Sequence, residues 1–338
     1  MPVVRTAAVF VVRPPPPILD LLIPDHPSIH SALRLFTIEM HHDIQQSLTR
    51  SAHYRKLIDR VLDEYKLPKA LAYLPVIESA YLPRLTSRAG AHGIWQFMPE
   101  TAREYGLRVD WWVDERADPD RSTRAAAIYL KDLYREFRDW PLALAAYNAG
   151  PGRIRRALDE TGSTSFWSLM EMSAIPRETR GYVPTFYAAI LIAGDPAAYG
   201  FRVTDPVDVD VRRVEVEGPL SLRFIAQTAN IDDGILRDLN PALVHGIVPP
   251  GPTSIRVPSS AVAAIARRAA TLKNDDRIVT VCAYKVRKGD TINKLARALG
   301  VERRTIRAMN GLSERAKIRR GESIYLPVRG HALSAGGM

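Results

Sequence analysis

Glu78 is the residue best placed to do chemistry. It belongs to Leu74-Pro-Val-Ile-Glu-Ser-Ala-Tyr81, a lone carboxylate in an apolar run near a helix C-terminus. Apolar neighbours disfavour the charged form of a carboxyl, and the negative end of the helix dipole disfavours it further. Such a group can stay protonated near neutral pH and act as a general acid. On its own, a glutamate at a helix end more often simply reaches solvent. Three other segments bear on that choice. Thr86 to Pro99 is punctuated by glycines and carries Ser87, Gly93, Trp95, Gln96 and Met98 ahead of a helix opened by Pro99, the makeup of a cleft wall. Ala145 to Arg153 sets Tyr147 and Asn148 at the end of a small apolar helix, where capping is the plainer role. Tyr182 sits in Arg180-Gly-Tyr-Val-Pro184, and for it or Trp95 alone core packing is the plainer role.

The elements that must position these groups read as helices. His53 to Tyr65 puts Leu57, Val61, Leu62 and Tyr65 on one face, and Ser122 is expected to cap a helix whose stripe runs from Ala126 to Phe137. Pro141 opens a helix through Asn148 that Gly150-Pro-Gly152 stops, and others are expected over Pro99 to Tyr105, Gly152 to Glu160 and Pro176 to Ala193. Residues 1–27 are proline-rich and irregular, and residues 28–201 form one α-rich domain. After Phe201 the texture changes to alternating valines, Val207 to Val216, which is strand-like. Two similar units follow, 212–258 and 284–328, each reading strand, helix, helix, strand. An alanine- and arginine-rich linker, 259–283, joins them, and 329–338 is a tail.

Composition narrows the partners. Across 338 residues, 47 Lys and Arg face 37 Asp and Glu, a net charge of +10 that suits an anionic polymer or surface. One cysteine, Cys282, rules out an intramolecular disulfide and any thiolate cluster, and His41, His42 and His92 lack metal-ligand spacing, so neither a metal nor a cofactor is expected. No stretch is apolar and long enough to span a bilayer. Ala7 to Val12 is shorter than a secretory h-region and is broken by Arg13 and Pro14 to Pro17, with no cysteine nearby to lipidate.

Taken together, Glu78-Ser-Ala, Gly93-Ile-Trp-Gln-Phe-Met-Pro and Ala146-Tyr-Asn-Ala-Gly resemble the catalytic domain of the lytic murein transglycosylases. The flanking Phe166-Trp-Ser-Leu, Pro176-Arg-Glu-Thr and Tyr182-Val-Pro are similar to the D-type membrane-bound members. The resemblance covers roughly residues 40 to 201. It implies a mainly α, lysozyme-like domain of the goose-type lysozyme or SLT fold, followed by small α+β modules. It also implies Glu78 as the single acid/base and Ser87, Gly93, Gln96, Met98, Tyr147, Asn148 and Tyr182 as residues of a glycan cleft. The reaction it implies is non-hydrolytic cleavage of the MurNAc-GlcNAc bond, leaving a 1,6-anhydro end. Ordinary glycosidases need two carboxylates. Asp110, Asp114, Asp118 and Asp120 are the nearest candidates for a second one, but their density beside a helix start reads as capping.

Residues 284–328 resemble a LysM module, with Gly289-Asp-Thr291 and Asn310 in the expected order, and 212–258 is a degenerate copy with Pro219 in place of the aspartate. Such modules imply attachment to GlcNAc-containing strands of peptidoglycan and a place in the periplasm or envelope of a bacterium, with association at the wall or membrane surface. No nucleic-acid partner is expected: the arginines of the second module are accompanied by only Tyr284 and Tyr325 for base stacking. A hydrolytic goose-type lysozyme and a non-catalytic wall-binding scaffold are the rival readings.

Overall fold

Asp118, Asp139 and Ser165 each stand immediately before a helix and accept hydrogen bonds from its first free N–H groups. These caps set much of the first unit of the computed structural model, which describes residues 21–110, 112–204, 210–271, 280–310 and 312–328. That unit comprises residues 1–108 and 115–207, and the second comprises 109–114 and 208–338. Of the N-terminal proline-rich segment, residues 1–20 lie outside the described residues, as do Val207, Val209 and the tail 329–338.

The first unit is helical. In order it contains α1 (Pro27–Arg34), α2 (His41–Tyr65), α3 (Leu74–Glu78), α4 (Pro99–Glu104), α5 (Pro119–Phe137), α6 (Trp140–Ala149), α7 (Pro151–Thr161), α8 (Phe166–Glu171) and α9 (Arg177–Gly194). Helix α6 is the hub, packing against α5, α7 and α9. Its residues Leu142 to Ala146 are all buried, and three of those five are alanine, which lets neighbouring helices approach closely. Helix α9 is buried all round from Tyr182 to Ile192, with only Thr185 half-buried. Helix α3 packs against both α9 and α2, which fixes the carboxyl it carries.

Two local expectations change. The stripe from His53 to Tyr65 is only the second half of α2, which begins at His41. Ser122 does not cap α5. It lies one turn inside, fully buried, donating from Oγ to the Asp118 carbonyl at 2.6 Å. Asp118 takes the cap because one carboxylate oxygen reaches two N–H groups, those of Asp120 and Arg121.

The second unit contains two βααβ modules. In the first, β1 (Val211–Ser221) leads through α10 (Leu222–Ala229) and α11 (Asp233–Leu239) to β2 (Ile247–Pro258), with β1 and β2 antiparallel. Gly218 is required where the register shifts, since a Cβ there would lie 1.9 Å from the Pro249 carbonyl oxygen. A helix, α12 (Val262–Thr271), follows in the segment read as linker. Ala261 and Ile265 join Val216, Leu222, Leu236 and Val257 in the module's core. The linker therefore starts later than expected, because an apolar face at helical spacing hides inside an alanine- and arginine-rich stretch. The second module runs β3 (Thr280–Lys285), α13 (Ile292–Leu299), α14 (Arg303–Met309) and β4 (Ser323–Val328), again antiparallel, around Val286, Ile292, Ala296, Ile306, Ile324 and Leu326.

Asn240 and Asn310 do the same work in the two modules. Asn240 Nδ2 donates to the Leu236 and Arg256 carbonyls at 2.9 and 2.8 Å while its Oδ1 accepts from Arg256 N at 2.8 Å. Asn310 repeats this with Ile306 and Tyr325 at 2.7, 2.7 and 2.6 Å. Each asparagine clips the second helix to the closing strand. Among the described residues no helix is long and apolar enough to cross a membrane, and no group of His, Cys, Asp and Glu could hold a metal ion.

Candidate active site

Glu78 is the last residue of α3, and the chain leaves that helix by an unusual path. Ser79 N donates to the Pro75 carbonyl at 3.1 Å, and then Ala80 and Tyr81 follow with φ of 50° and 60°. Two successive left-handed residues that are not glycine persist only where their surroundings hold them. Here Arg50 Nε donates to the Ala80 carbonyl at 2.7 Å, Ser79 Oγ to the Ile94 carbonyl at 2.8 Å, and the buried Tyr81 hydroxyl to the Ala72 carbonyl. The Tyr81 ring also stacks on Tyr54, 5.9 Å between centroids. The direction in which Glu78 points is thus set from several sides.

The Tyr182 hydroxyl, from α9, donates a hydrogen bond to Glu78 Oε1. Burial pushes the Glu78 carboxyl up to about 7, the Tyr182 bond opposes that rise, and the charge of Glu178 adds to it. Burial, and next the neighbouring Glu78, push the phenols of Tyr147 and Tyr182 well above their ordinary range. Glu78 keeps some accessible surface, as a proton donor to a bound molecule must. Of the Asp candidates for a second carboxylate, Asp110 Oδ1 accepts from Trp112 N and Val113 N, Asp118 caps α5, and Asp120 pairs with Arg124.

The glycine-punctuated loop is tightly built. Ser87 closes a turn, its N–H donating to the Ala91 carbonyl at 2.8 Å while its Oγ accepts from Ala91 N at 3.0 Å. Gln96, at φ 48°, donates from Nε2 to the Gly93 and Leu85 carbonyls at 2.8 and 3.1 Å. Met98 precedes α4 and is 39% exposed. Gly93 has φ 84°, and a Cβ there would lie 1.9 Å from the Arg116 carbonyl oxygen. The close backbone approach expected at this glycine is therefore made by the protein itself.

Tyr147 and Asn148 connect the loop and α9 to the end of α6. Tyr147 Oη donates to the Trp95 carbonyl at 2.8 Å, with its ring 5.2 Å from that of Tyr129. Asn148 Oδ1 accepts from Thr179 Oγ1, on α9, at 2.8 Å, so it pins two helices together rather than capping its own. Trp95 is almost wholly buried, its indole N–H donating to Thr123 Oγ1 at 2.9 Å.

Arg116 is the residue that sequence reasoning missed. It is 7% exposed, and its Nη1 donates to the carbonyls of Gly90 and Phe97 at 2.8 and 2.9 Å, tying the two limbs of the loop together. Its own carbonyl is the one against Gly93. Tyr81, Arg50 and Thr179 were missed in the same way, since each acts on backbone or on a distant side chain rather than through a local motif.

Comparison with known proteins agrees with this architecture. Residues 57–170 match the Transglycosylase SLT domain, 210–274 the LysM-like domain described for lytic transglycosylase MltD, and 284–327 the LysM domain. The chain is 33% identical over 293 residues to membrane-bound lytic murein transglycosylase D of Escherichia coli K12, covering 82% of this chain and 64% of that protein's length. It is 32% identical over 143 residues to the soluble lytic murein transglycosylase of the same strain, covering 40% of this chain and 22% of that one. Among solved structures, lytic transglycosylase Slt of Pseudomonas aeruginosa matches at 31% identity and a TM-score of 0.37, covering 42% of this chain and 24% of that one. By its domain matches, then, the chain carries an SLT domain followed by a LysM-like and a LysM domain, and it spans 64% of the length of the lytic murein transglycosylase D to which it is similar.

Proposed function

We propose that the chain is a peptidoglycan lytic transglycosylase. The catalytic domain, residues 28–201, would cut the β-1,4 bond between MurNAc and GlcNAc without consuming water, and the module at 284–328 would keep it on the wall, in the bacterial envelope. The observation that carries the reading is Glu78, a carboxyl pushed up to about 7 beside the Tyr182 hydroxyl, with Asp110, Asp118 and Asp120 committed to a turn, a helix cap and an ion pair. One group that is half protonated near neutrality suits a reaction in which the same carboxyl gives a proton and then takes one. Glu78 first protonates the leaving glycosidic oxygen while the substrate's N-acetyl group supports the cation. It then accepts the proton of the C6 hydroxyl as that oxygen closes on C1, giving the 1,6-anhydro ring. Ser87, Gln96, Met98, Tyr147, Asn148 and the loop around Gly93 would form or support the cleft that holds the glycan.

The test is the mass of the products released from purified peptidoglycan. Anhydro products are lighter by one water than those of a goose-type hydrolase, and a non-catalytic scaffold releases none. Glu78→Gln keeps the side chain's size but can neither donate nor accept the proton. Release should fall ~10² to 10⁴-fold with thermal melts matched to the parent. A well-folded Glu78→Gln chain that still released anhydro products near the parental rate would overturn the assignment.

A further inference from the structure

The two βααβ modules align without a gap from Leu222–Asn240 to Ile292–Asn310, and Ser221 and Thr291 cap the first helix of each. One therefore serves as an internal control for the other. Arg297, Arg303 and Arg304 of the second module stand where the first has Gln227, Asp233 and Gly234. The first module builds the same fold without those cations, so the fold does not require them. Arg307, in contrast, matches Arg237 and has a structural task, donating from Nη1 to the Ala316 carbonyl at 3.1 Å.

In the second module these four arginines border one concavity of about 600 Å³ between α13 and α14, together with Glu302 and Glu314. Glu302 is engaged by Arg304. Arg303 makes only a long contact of 3.4 Å with Asn293 Oδ1, and among the described residues neither Arg297 nor Arg303 has an acidic partner. Guanidinium groups present planar forks that match carboxylates two donors at a time, and several on one concave face favour a ligand with more than one anionic group.

We infer that this concavity binds the carboxylates of the short acidic peptides attached to the peptidoglycan strand. The inference rests on the wall-directed reading above and adds a peptide contact to it. A nucleic acid is the poorer fit, because the module's two tyrosines do not border the cavity.

The experiment uses the full chain carrying Glu78→Gln, so that the wall is not consumed, with and without Arg297→Gln, Arg303→Gln and Arg304→Gln together. Both proteins are titrated at low salt onto intact peptidoglycan and onto glycan strands stripped of peptides. The arginine-bearing protein should prefer the peptide-bearing wall by about tenfold, the scale of a few partly exposed ion pairs. The triple variant should lose that preference while keeping its affinity for bare strands and its melting temperature. A preference that survives in the triple variant, one absent from the start, or an equal loss on both ligands would overturn the inference. So would competition by inorganic phosphate with none by succinate at matched ionic strength, which would make the ligand a phosphate. Failure to bind bare strands at all would count against the glycan-binding reading of the module, which the peptide preference does not test.

Discussion

At the scale of single residues, the pairing of Glu78 with Tyr182 makes a quantitative demand on pH dependence. A general acid must enter the reaction protonated, so kcat/KM should fall as pH rises through about 7, where the buried Glu78 titrates. The Tyr182 hydroxyl stabilises the carboxylate it donates to, and without it the protonated form is favoured further. Tyr182→Phe should therefore move the falling limb to higher pH as well as lower the maximum, because the carboxyl is less well aimed. A pH–rate profile decides this: a limb that stays in place or moves to lower pH would mean that Tyr182 does not tune Glu78.

At the scale of elements, the loop from Ser87 to Met98 depends on Arg116, whose guanidinium gathers two loop carbonyls and whose own carbonyl lies against Gly93. Gly93→Ala combines a Cβ placed 1.9 Å from that carbonyl oxygen with a left-handed backbone. It should destabilise the first unit by about 1 to 3 kcal/mol, in the range for strain at a special backbone position, read as a lower melting temperature. An unchanged melt would show that the loop adapts more freely than its hydrogen bonds suggest. This element also marks the limit of what the residues announce in advance. Glu78 at an apolar helix end, the helices around it and the repeated strand-helix-helix-strand units were legible, because periodicity and punctuation are local signals. Arg116 was not, since its partners are main-chain carbonyls 19 and 26 residues away that carry no side-chain signature. Ser122 and the aspartates before it all suit a helix start, and only the geometry gives the cap to Asp118. Helix α12 was read as linker because its short apolar face is diluted by arginine and alanine.

At the scale of the whole molecule, the helical unit carries the proposed chemistry and the second module the proposed attachment, so the two should separate. Deleting residues 284–328 should reduce co-sedimentation with peptidoglycan severalfold while leaving cleavage of short soluble glycan fragments within about twofold of the parent, as expected when lost binding is remote from the reacting bond and uniform across the reaction. Added salt should weaken but not abolish the parent's retention, since sugar contacts are uncharged and only the rim attraction is screened. Equal loss of cleavage on soluble fragments would place the module in the catalytic cycle rather than in attachment alone.

The paired left-handed residues after Glu78 set the fold's stability against the speed of the proposed reaction. Ala80 holds φ 50° at a cost of about 1 kcal/mol that glycine would not bear. Part of that relief is returned as the greater freedom of an unfolded glycine. Ala80→Gly should leave the melting temperature equal or slightly higher while slowing turnover, because the residue that aims the acid's helix end would then wander over more conformations. A chain selected for stability alone would be expected to accept that glycine, whereas one selected for turnover would keep the strained alanine.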